Sequence, residues 1–277
     1  MTSLPSITWT GTATAITSIS HAGDTRGTLT LLRRERIILP DDTITEIPII
    51  SGNCLRGTLR RRAEELLRDT LDYAGHITLA AAHTLRAGGS LTKTSAGEPL
   101  SGSRLATLRA LIPVVGLFGA ATTGRIIDGC LQVGKLIPHL AETAHITGVP
   151  TSRTAFDAVQ VEYYTQADST LDHSAPLPDL DDSSTAQPMR YGIETFLAGT
   201  RFTSRLRLTR PTPLETAFFA DLLASYTDHA TVGGRLGIGH GQLHLDLTPS
   251  STVPAMDWRT HLHDRRQDAL DALKGLQ

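Results

Sequence analysis

The sequence predicts an α+β protein in which one face of a β-sheet packs against helices while the other stays open. Three observations carry this. Residues 200–209 alternate Phe202, Leu206 and Leu208 with Arg201, Arg205 and Arg207, the period of two of a half-buried strand. After Asn53, the residues Leu55, Leu59, Ala63 and Leu66 recur at the spacing of one helix face. Leu243, Leu245 and Leu247 form a second alternating run near the C-terminal end.

In chain order, residues 7–19 read as a strand, with Ile7 and Trp9 alternating with Thr8, Thr10 and Thr12. Residues 21–27 read as a loop, and 29–50 as extended chain turning at Pro40-Asp41-Asp42. Asn53 has the chemistry of an N-cap, which predicts a helix over about 54–69. Residues 88–103, rich in Gly, Ser and Thr, read as a loop leading to a short helix capped by Ser103 and carrying Leu105, Leu108 and Leu111, with Pro113 near its end. Residues 125–137 read as a strand or hairpin, 159–165 as another strand, and 168–188, rich in Ser, Pro and Asp, as a projecting insertion. Pro213 suits the first turn of a helix whose buried stripe is Leu214, Phe218, Leu222 and Tyr226. A terminal helix is expected over 258–273. Without its insertions the order is strand, helix, strand, strand, helix, strand, the ferredoxin-like or RRM-like pattern. The expectation is one domain over 1–277 with insertions at about 71–123, helical and loop-like, and 163–190.

A hydrophobic content of 40% supports a real core, and an aromatic content of only 5% predicts an aliphatic one. No apolar run approaches the ~20 residues of a membrane span, and the first residues lack the pattern of a signal peptide. Cys54 and Cys130 make neither a disulfide framework nor a Cys-x-x-Cys zinc site. The expectation is a soluble cytoplasmic protein without a membrane partner. The net charge of −2 conceals segregation. Arg33, Arg34 and Arg36 lie together, and Arg56, Arg60, Arg61, Arg62 and Arg68 fall in one helix. Residues 167–188 contain no Lys or Arg but include Asp168, Asp172, Asp179, Asp181 and Asp182.

The arginine face of 200–209 presents guanidinium forks at alternate positions, about 7 Å apart at strand rise, and such forks match phosphate oxygens. The alternative is a solvated face with scattered ion pairs. At the start of the helix after Asn53, free N–H groups offer an anion site, with Arg56, Arg60 and Arg61 above it. Charge gathered there opposes the helix dipole, which an ordinary amphipathic helix does not explain. Gly129 to Lys135 fits a phosphate loop only superficially, because Leu136 stands where a magnesium-binding Ser or Thr belongs. Gly237, Gly239 and Gly241 precede a strand rather than a helix, which argues against a dinucleotide fold. His240, Gln242, His244 and Asp246 share a strand face without further converging ligands, and His261 and His263 read as surface residues, so no metal or cofactor is expected. No Gly-x-Ser-x-Gly or His-Glu-x-x-His motif is present.

Four segments in order resemble the RAMP superfamily of CRISPR-associated proteins, and in particular the repeated backbone subunit of its effector complexes. They are Ile49-Ile50-Ser51-Gly52-Asn53-Cys54-Leu55-Arg56-Gly57-Thr58-Leu59-Arg60, Leu117-Phe118-Gly119, Gly199-Thr200-Arg201-Phe202, and the glycine-rich run from Val232 to Gly241. The resemblance covers about residues 7–247. It implies a modified ferredoxin-like palm with a thumb-like hairpin, and a non-enzymatic subunit that binds guide RNA along its phosphates and stacks with copies of itself in a filament. Other effector subunits, and target nucleic acid through the guide, would be its further partners. The implied RNA-binding set is Asn53, Arg56, Arg60, Arg61, Arg201, Arg205, Arg207, Gly233, Gly234, Arg235, Gly237 and His240. The run from Tyr163 to Asp168 is most similar to the type IV subunit, with the type III subunit next. In the type III subunit an aspartate in the loop after the first strand cuts target RNA. Asp24 is the only acid in that loop here, in surroundings that do not match. The alternatives are a RAMP-family endoribonuclease using Asp24, His21 or His240, and a generic RRM-like RNA-binding module. An acidic thumb is a departure from an RNA-covering element, and is expected instead to dock on Arg33–Arg36 of a neighbouring copy.

Overall fold

The structure, a computed structural model, describes residues 3–89, 102–122, 125–165, 190–274 and 276. The chain opens with strand β1 (Ile7–Ala15), followed by β2 (Ala22–Arg26), β3 (Leu29–Leu32), β4 (Arg34–Ile38) and β5 (Ile44–Pro48). The segment expected as a loop is therefore the strand β2, which pairs with β3 across a register shift between Ala22 and Thr25. Helix α1 (Gly52–Leu71) begins earlier than expected. Its cap is Ser51, whose hydroxyl accepts the Cys54 N–H at 3.3 Å, and Asn53 lies exposed inside the first turn. The early start depends on Gly52: a Cβ there would stand 2.4 Å from the Val133 carbonyl oxygen.

The first insertion holds α2 (Leu79–Ala87), α3 (Gly102–Leu111), α4 (Pro113–Phe118) and the hairpin of β6 (Ala120–Thr122) and β7 (Arg125–Ile127). Pro113 opens α4 rather than closing α3, a position where its missing N–H costs nothing. Next come β8 (Leu131–Val133), β9 (Ile137–Pro138), the short α5 (Ala144–Thr147), β10 (Val159–Thr165), β11 (Arg190–Phe196) and β12 (Arg201–Leu208). The acidic insertion, with its five aspartates, lies outside the described residues between β10 and β11. Helix α6 (Pro213–Thr227) starts in a capping box, in which Thr212 and Glu215 satisfy each other's backbone N–H groups. Strand β13 (Leu243–Pro249) follows, and the terminal helix is broken into α7 (Trp258–Asp264) and α8 (Arg266–Lys274) at Arg265.

The principal sheet runs β13-β1-β12-β8, with β9 also paired to β12, and every pairing is antiparallel. With β8 and β9 as its second strand, the sheet has the order fourth, first, third, second: a ferredoxin-like palm of the α+β class. Ile7, Trp9 and Ala13 of β1 and Phe202, Leu206 and Leu208 of β12 face the helices and are buried. Trp9 meets Phe219 of α6 edge-on at 4.9 Å, and Phe218 meets Trp258 of α7 at 4.7 Å. The core is aliphatic around a phenylalanine centre, since Phe196, Phe202, Phe218 and Phe219 are among its largest fully buried side chains. A second sheet, β10-β11-β3-β2, joins the hairpin flanking the acidic insertion to the hairpin after β1 through the parallel pair β3–β11. Among the described residues no helix is long and apolar enough to cross a membrane.

Arg56 and Arg60 correct a sequence expectation. Both were expected to face phosphates, but both turn inward from α1. Arg60 is only 7% exposed, and its guanidinium donates to the carbonyls of Thr84 and Leu85 at 2.7 and 2.6 Å and of Phe118 and Gly119 at 3.2 and 3.0 Å. Thr84 and Leu85 lie in the last turn of α2, and Phe118 ends α4, so one side chain closes two helix C-termini. Arg56 donates to Phe118 at 2.9 Å and to the Leu131 carbonyl. Burial, and the charge of Arg56 beside it, push the Arg60 pKa down to about 10. At neutral pH the group is still charged, and the carbonyl ends of α2 and α4 balance that charge. Arg60→Ala is expected to lower the unfolding free energy by about 3 kcal/mol, because the Leu85 and Gly119 carbonyls lose their donor and the Thr84 and Phe118 carbonyls lose one of two. Arg60→Lys should recover little of it, since an ammonium cannot span the fork. Denaturant titration measures both, and a wild-type midpoint for Arg60→Ala would contradict the bracing role.

Candidate nucleic-acid interface

The open face of the palm sheet is set by register. Thr8, Thr10, Thr12 and Thr14 of β1 stand opposite Arg207, Arg205, Thr203 and Arg201 of β12. On the other side of β1, Thr10, Thr12 and Thr14 face Thr248, Asp246 and His244 of β13. Gln132 of β8 lies opposite Arg207. The result is a hydroxyl row flanked on one side by guanidinium groups. Arg201 and Arg205 are exposed and Arg207 is half-buried. Among the described residues, no ion pair or hydrogen bond holds any of these three guanidinium groups.

The glycine-rich segment sits where β1 ends and β13 begins. Its two ends serve chain packing. Gly233 has φ +88, and a Cβ there would meet the Ser20 carbonyl oxygen at 2.1 Å. Its N–H points at Cys54 Sγ at 3.2 Å, and the Gly234 N–H donates to the Ser20 carbonyl at 2.8 Å. These two amides were expected to meet RNA, but they hold the segment against the chain after β1 and the start of α1. Gly237 differs: it is exposed, with open space where a side chain would be.

Arg235 and His240 turn towards the β10–β11 hairpin. The Arg235 guanidinium lies 3.9 Å from the centre of the Tyr164 ring, which stacks on Tyr191 at 5.5 Å. His240, expected as an RNA ligand, is 8% exposed. Its Nδ1 lies 2.9 Å from the Ser18 hydroxyl and its Nε2 3.8 Å from the Glu162 carboxylate. Burial pushes the Glu162 pKa up, but hydrogen bonds from Thr195, Ser18 and Gln160 and the His240 charge outweigh it and hold the carboxyl below its usual range. The loop is thus tied to the hairpin that flanks the acidic insertion.

On α1, Arg61 is exposed and shares a cleft with Thr231 and Leu236 of the glycine-rich segment. Arg62 is held by Ser225 and Glu65. The predicted set therefore divides. Asn53, Arg61, Arg201, Arg205, Arg207 and Gly237 present accessible groups, while Arg56, Arg60, Gly233, Gly234, Arg235 and His240 are engaged within the protein. The structure adds Arg153, which lines a cleft with Arg201 and His139. An isolated arginine in a Thr- and Pro-containing loop carried no sequence signal for it.

Asp24 is exposed on β2 in a groove with Arg26, Arg33 and Arg34. Arg34 is paired to Glu194 at 2.7 Å, while Arg33 and Arg36 are exposed. Among the described residues, no three His, Cys, Asp or Glu side chains group as metal ligands. His21 Nε2 accepts the Ser51 N–H at 3.2 Å, directly beneath the α1 start. Burial, and then the Arg33 charge, hold its pKa below the usual histidine value, and burial and Arg201 do the same for His139. The unfolded chain binds protons at these histidines from about pH 6.5, before the folded chain does, so stability present above that pH is lost as pH falls through it. Denaturant midpoints measured from pH 8 down to pH 5 should decline below about pH 6.5. His21→Gln, whose amide oxygen can accept the same N–H, should shrink the decline to the His139 part. An unchanged slope would remove His21 as its source.

No protein-family model and no curated protein matches the chain. Among solved structures, a chain of a "Type IV-B CRISPR Complex" matches with a TM-score of 0.66 and 28% identity, over 91% of this chain and 94% of that one. In fold and extent the chain is similar to a chain of a type IV-B CRISPR complex.

Proposed function

We propose that this chain is a structural subunit of a CRISPR ribonucleoprotein, of the RAMP superfamily, that holds guide RNA along its phosphate backbone and stacks with further copies of itself. The observation that carries the reading is the row of Arg201, Arg205 and Arg207, unpaired among the described residues, on the open face of a palm similar in fold and extent to a chain of a type IV-B CRISPR complex. Arg61 and Asn53 extend the accessible polar surface at the start of α1. The threonine hydroxyls between the strands suit sugar and phosphate oxygens. Among the described residues, the His244 imidazole is the only ring on that face of β1, β12 or β13, so the paired stacking platform of the RRM kind is missing there. Contacts of this type bind without regard to sequence and weaken steeply with salt. Other subunits of the complex, and target nucleic acid through the guide, are the partners this role requires.

The role is that of a scaffold, with the chemistry of cleavage assigned to none of its residues. Incubation with RNA and divalent metal is expected to leave the RNA intact for wild type and for Asp24→Ala alike. Product formed by wild type and lost in Asp24→Ala would replace the scaffold with an endoribonuclease. The interface itself is tested by the Arg201→Gln/Arg205→Gln double variant. Removing two phosphate contacts should reduce the magnitude of the slope of log K against log salt by about 1.4, measured by fluorescence anisotropy with single-stranded RNA. An unchanged slope would take the open sheet face out of the RNA path.

A further inference from the structure

The turn before β12 and the loop leading to β10 enclose a cleft of about 340 Å³ whose lining includes His139, Thr151, Arg153 and Arg201. Two guanidinium groups share this lining with no carboxylate. The acids close by in sequence are hydrogen-bonded to other groups: Glu142 accepts the Ala155 N–H at 3.0 and 3.1 Å, and Asp157 accepts the Thr154 N–H and hydroxyl at 3.0 and 2.7 Å, with the Arg153 charge adding only the last contribution to the lowering of the Asp157 carboxyl. Among the described residues neither Arg153 nor Arg201 has an ion pair or a side-chain hydrogen bond. Two like charges facing one cleft repel each other unless an anion lies between them.

The arginines are also held in place by backbone. The His139 N–H donates to the Arg201 carbonyl at 2.8 Å, and the Ala141 N–H to the Arg153 carbonyl at 2.7 Å. One short segment therefore fixes both residues that carry the charge. Thr151 Oγ1 accepts the Arg153 N–H at 3.2 Å, which leaves its hydroxyl hydrogen to donate. His139 Nε2 engages the Thr203 hydroxyl at 3.0 Å, which orients the ring at the cleft. Guanidinium forks with a hydroxyl donor match the oxygens of a phosphate group. The volume lies at the small end of ligand pockets.

We propose that this cleft is a phosphate-binding site, set apart from the open sheet face by Arg153 and joined to it through Arg201. The source of the phosphate rests on the RNA reading above: either a terminal phosphomonoester or an internal phosphodiester of the bound strand. The test measures the affinity of the full chain for one short RNA bearing either a 5′-phosphate or a 5′-hydroxyl, for wild type, Arg153→Gln and Arg265→Gln. Arg265 is exposed between α7 and α8 and controls for the loss of one positive charge. Weakening by Arg153→Gln of fivefold or more for the phosphorylated RNA alone would assign a terminal phosphate. The same loss for both RNAs would assign an internal one. No change for either RNA, or an equal loss in Arg265→Gln, overturns the proposal. An Arg205→Gln/Arg207→Gln variant, which leaves both cleft arginines in place, tests RNA binding at the sheet separately, so a failed cleft and a failed RNA reading give different results.

Discussion

Two helices end on one arginine. Carbonyls in the last turns of α2 and α4 converge on the side chain of Arg60, with Arg56 reinforcing the second helix. The packing of the first insertion on the palm depends on this. Without the guanidinium the Leu85 and Gly119 carbonyls would lose their donor, while Thr84 keeps the Gly88 N–H and Phe118 keeps Arg56. The same arrangement accounts for positive charge in the first two turns of α1. It is unfavourable towards the dipole of its own helix and favourable towards the C-terminal ends of two others. What reads in the sequence as an anion-binding cluster is in large part an internal scaffold, and the accessible remainder is Arg61.

The palm was legible because its signals are local. The alternation in β1, β12 and β13 and the stripe on α6 each fix a face within a few residues, and the order of those elements gives the sheet. The division of the arginines was not legible in the same way. Arg60, Arg61 and Arg62 are consecutive and chemically identical, and their fates depend on which side of α1 the insertion packs. One trace was present: Arg56, Arg60 and Glu64 recur every four residues along the edge of the apolar stripe, and Arg60 and Glu64 are both buried. The cap was misplaced for a similar reason. Ser51 and Asn53 have comparable capping chemistry, and the choice is made by the approach of Gly52 to Val133, from a strand far away in sequence.

The glycine-rich segment has the widest gap between composition and role. A run of glycines beside a basic strand suggests room for a ligand. At its two ends that room is taken by the chain itself: Ser20 against Gly233, and Val232 against Gly241, where a Cβ would fall 2.3 Å from a carbonyl oxygen, while Gly237 and Gly239 face open space. In return the segment links three parts of the molecule, the end of β1, the start of α1 and, through Arg235 on Tyr164 and His240 by Glu162, the β10–β11 hairpin. The orientation of that hairpin relative to the palm is therefore anchored by stacking and by a partly buried polar contact rather than by the sheet ladder alone.

The ladder itself has a further consequence. Thr165 pairs with Arg190, and the register continues without a shift to Val159 and Phe196. The chain therefore departs from and returns to the second sheet at a single point, and the sheet is indifferent to the length of what it brackets. Loop-closure cost rises by only about 0.6 kcal/mol for each doubling of length. The bracket is thus a natural exchange point: an insertion of another size or charge can be spliced there while the palm, the arginine row and the braced helices keep their geometry.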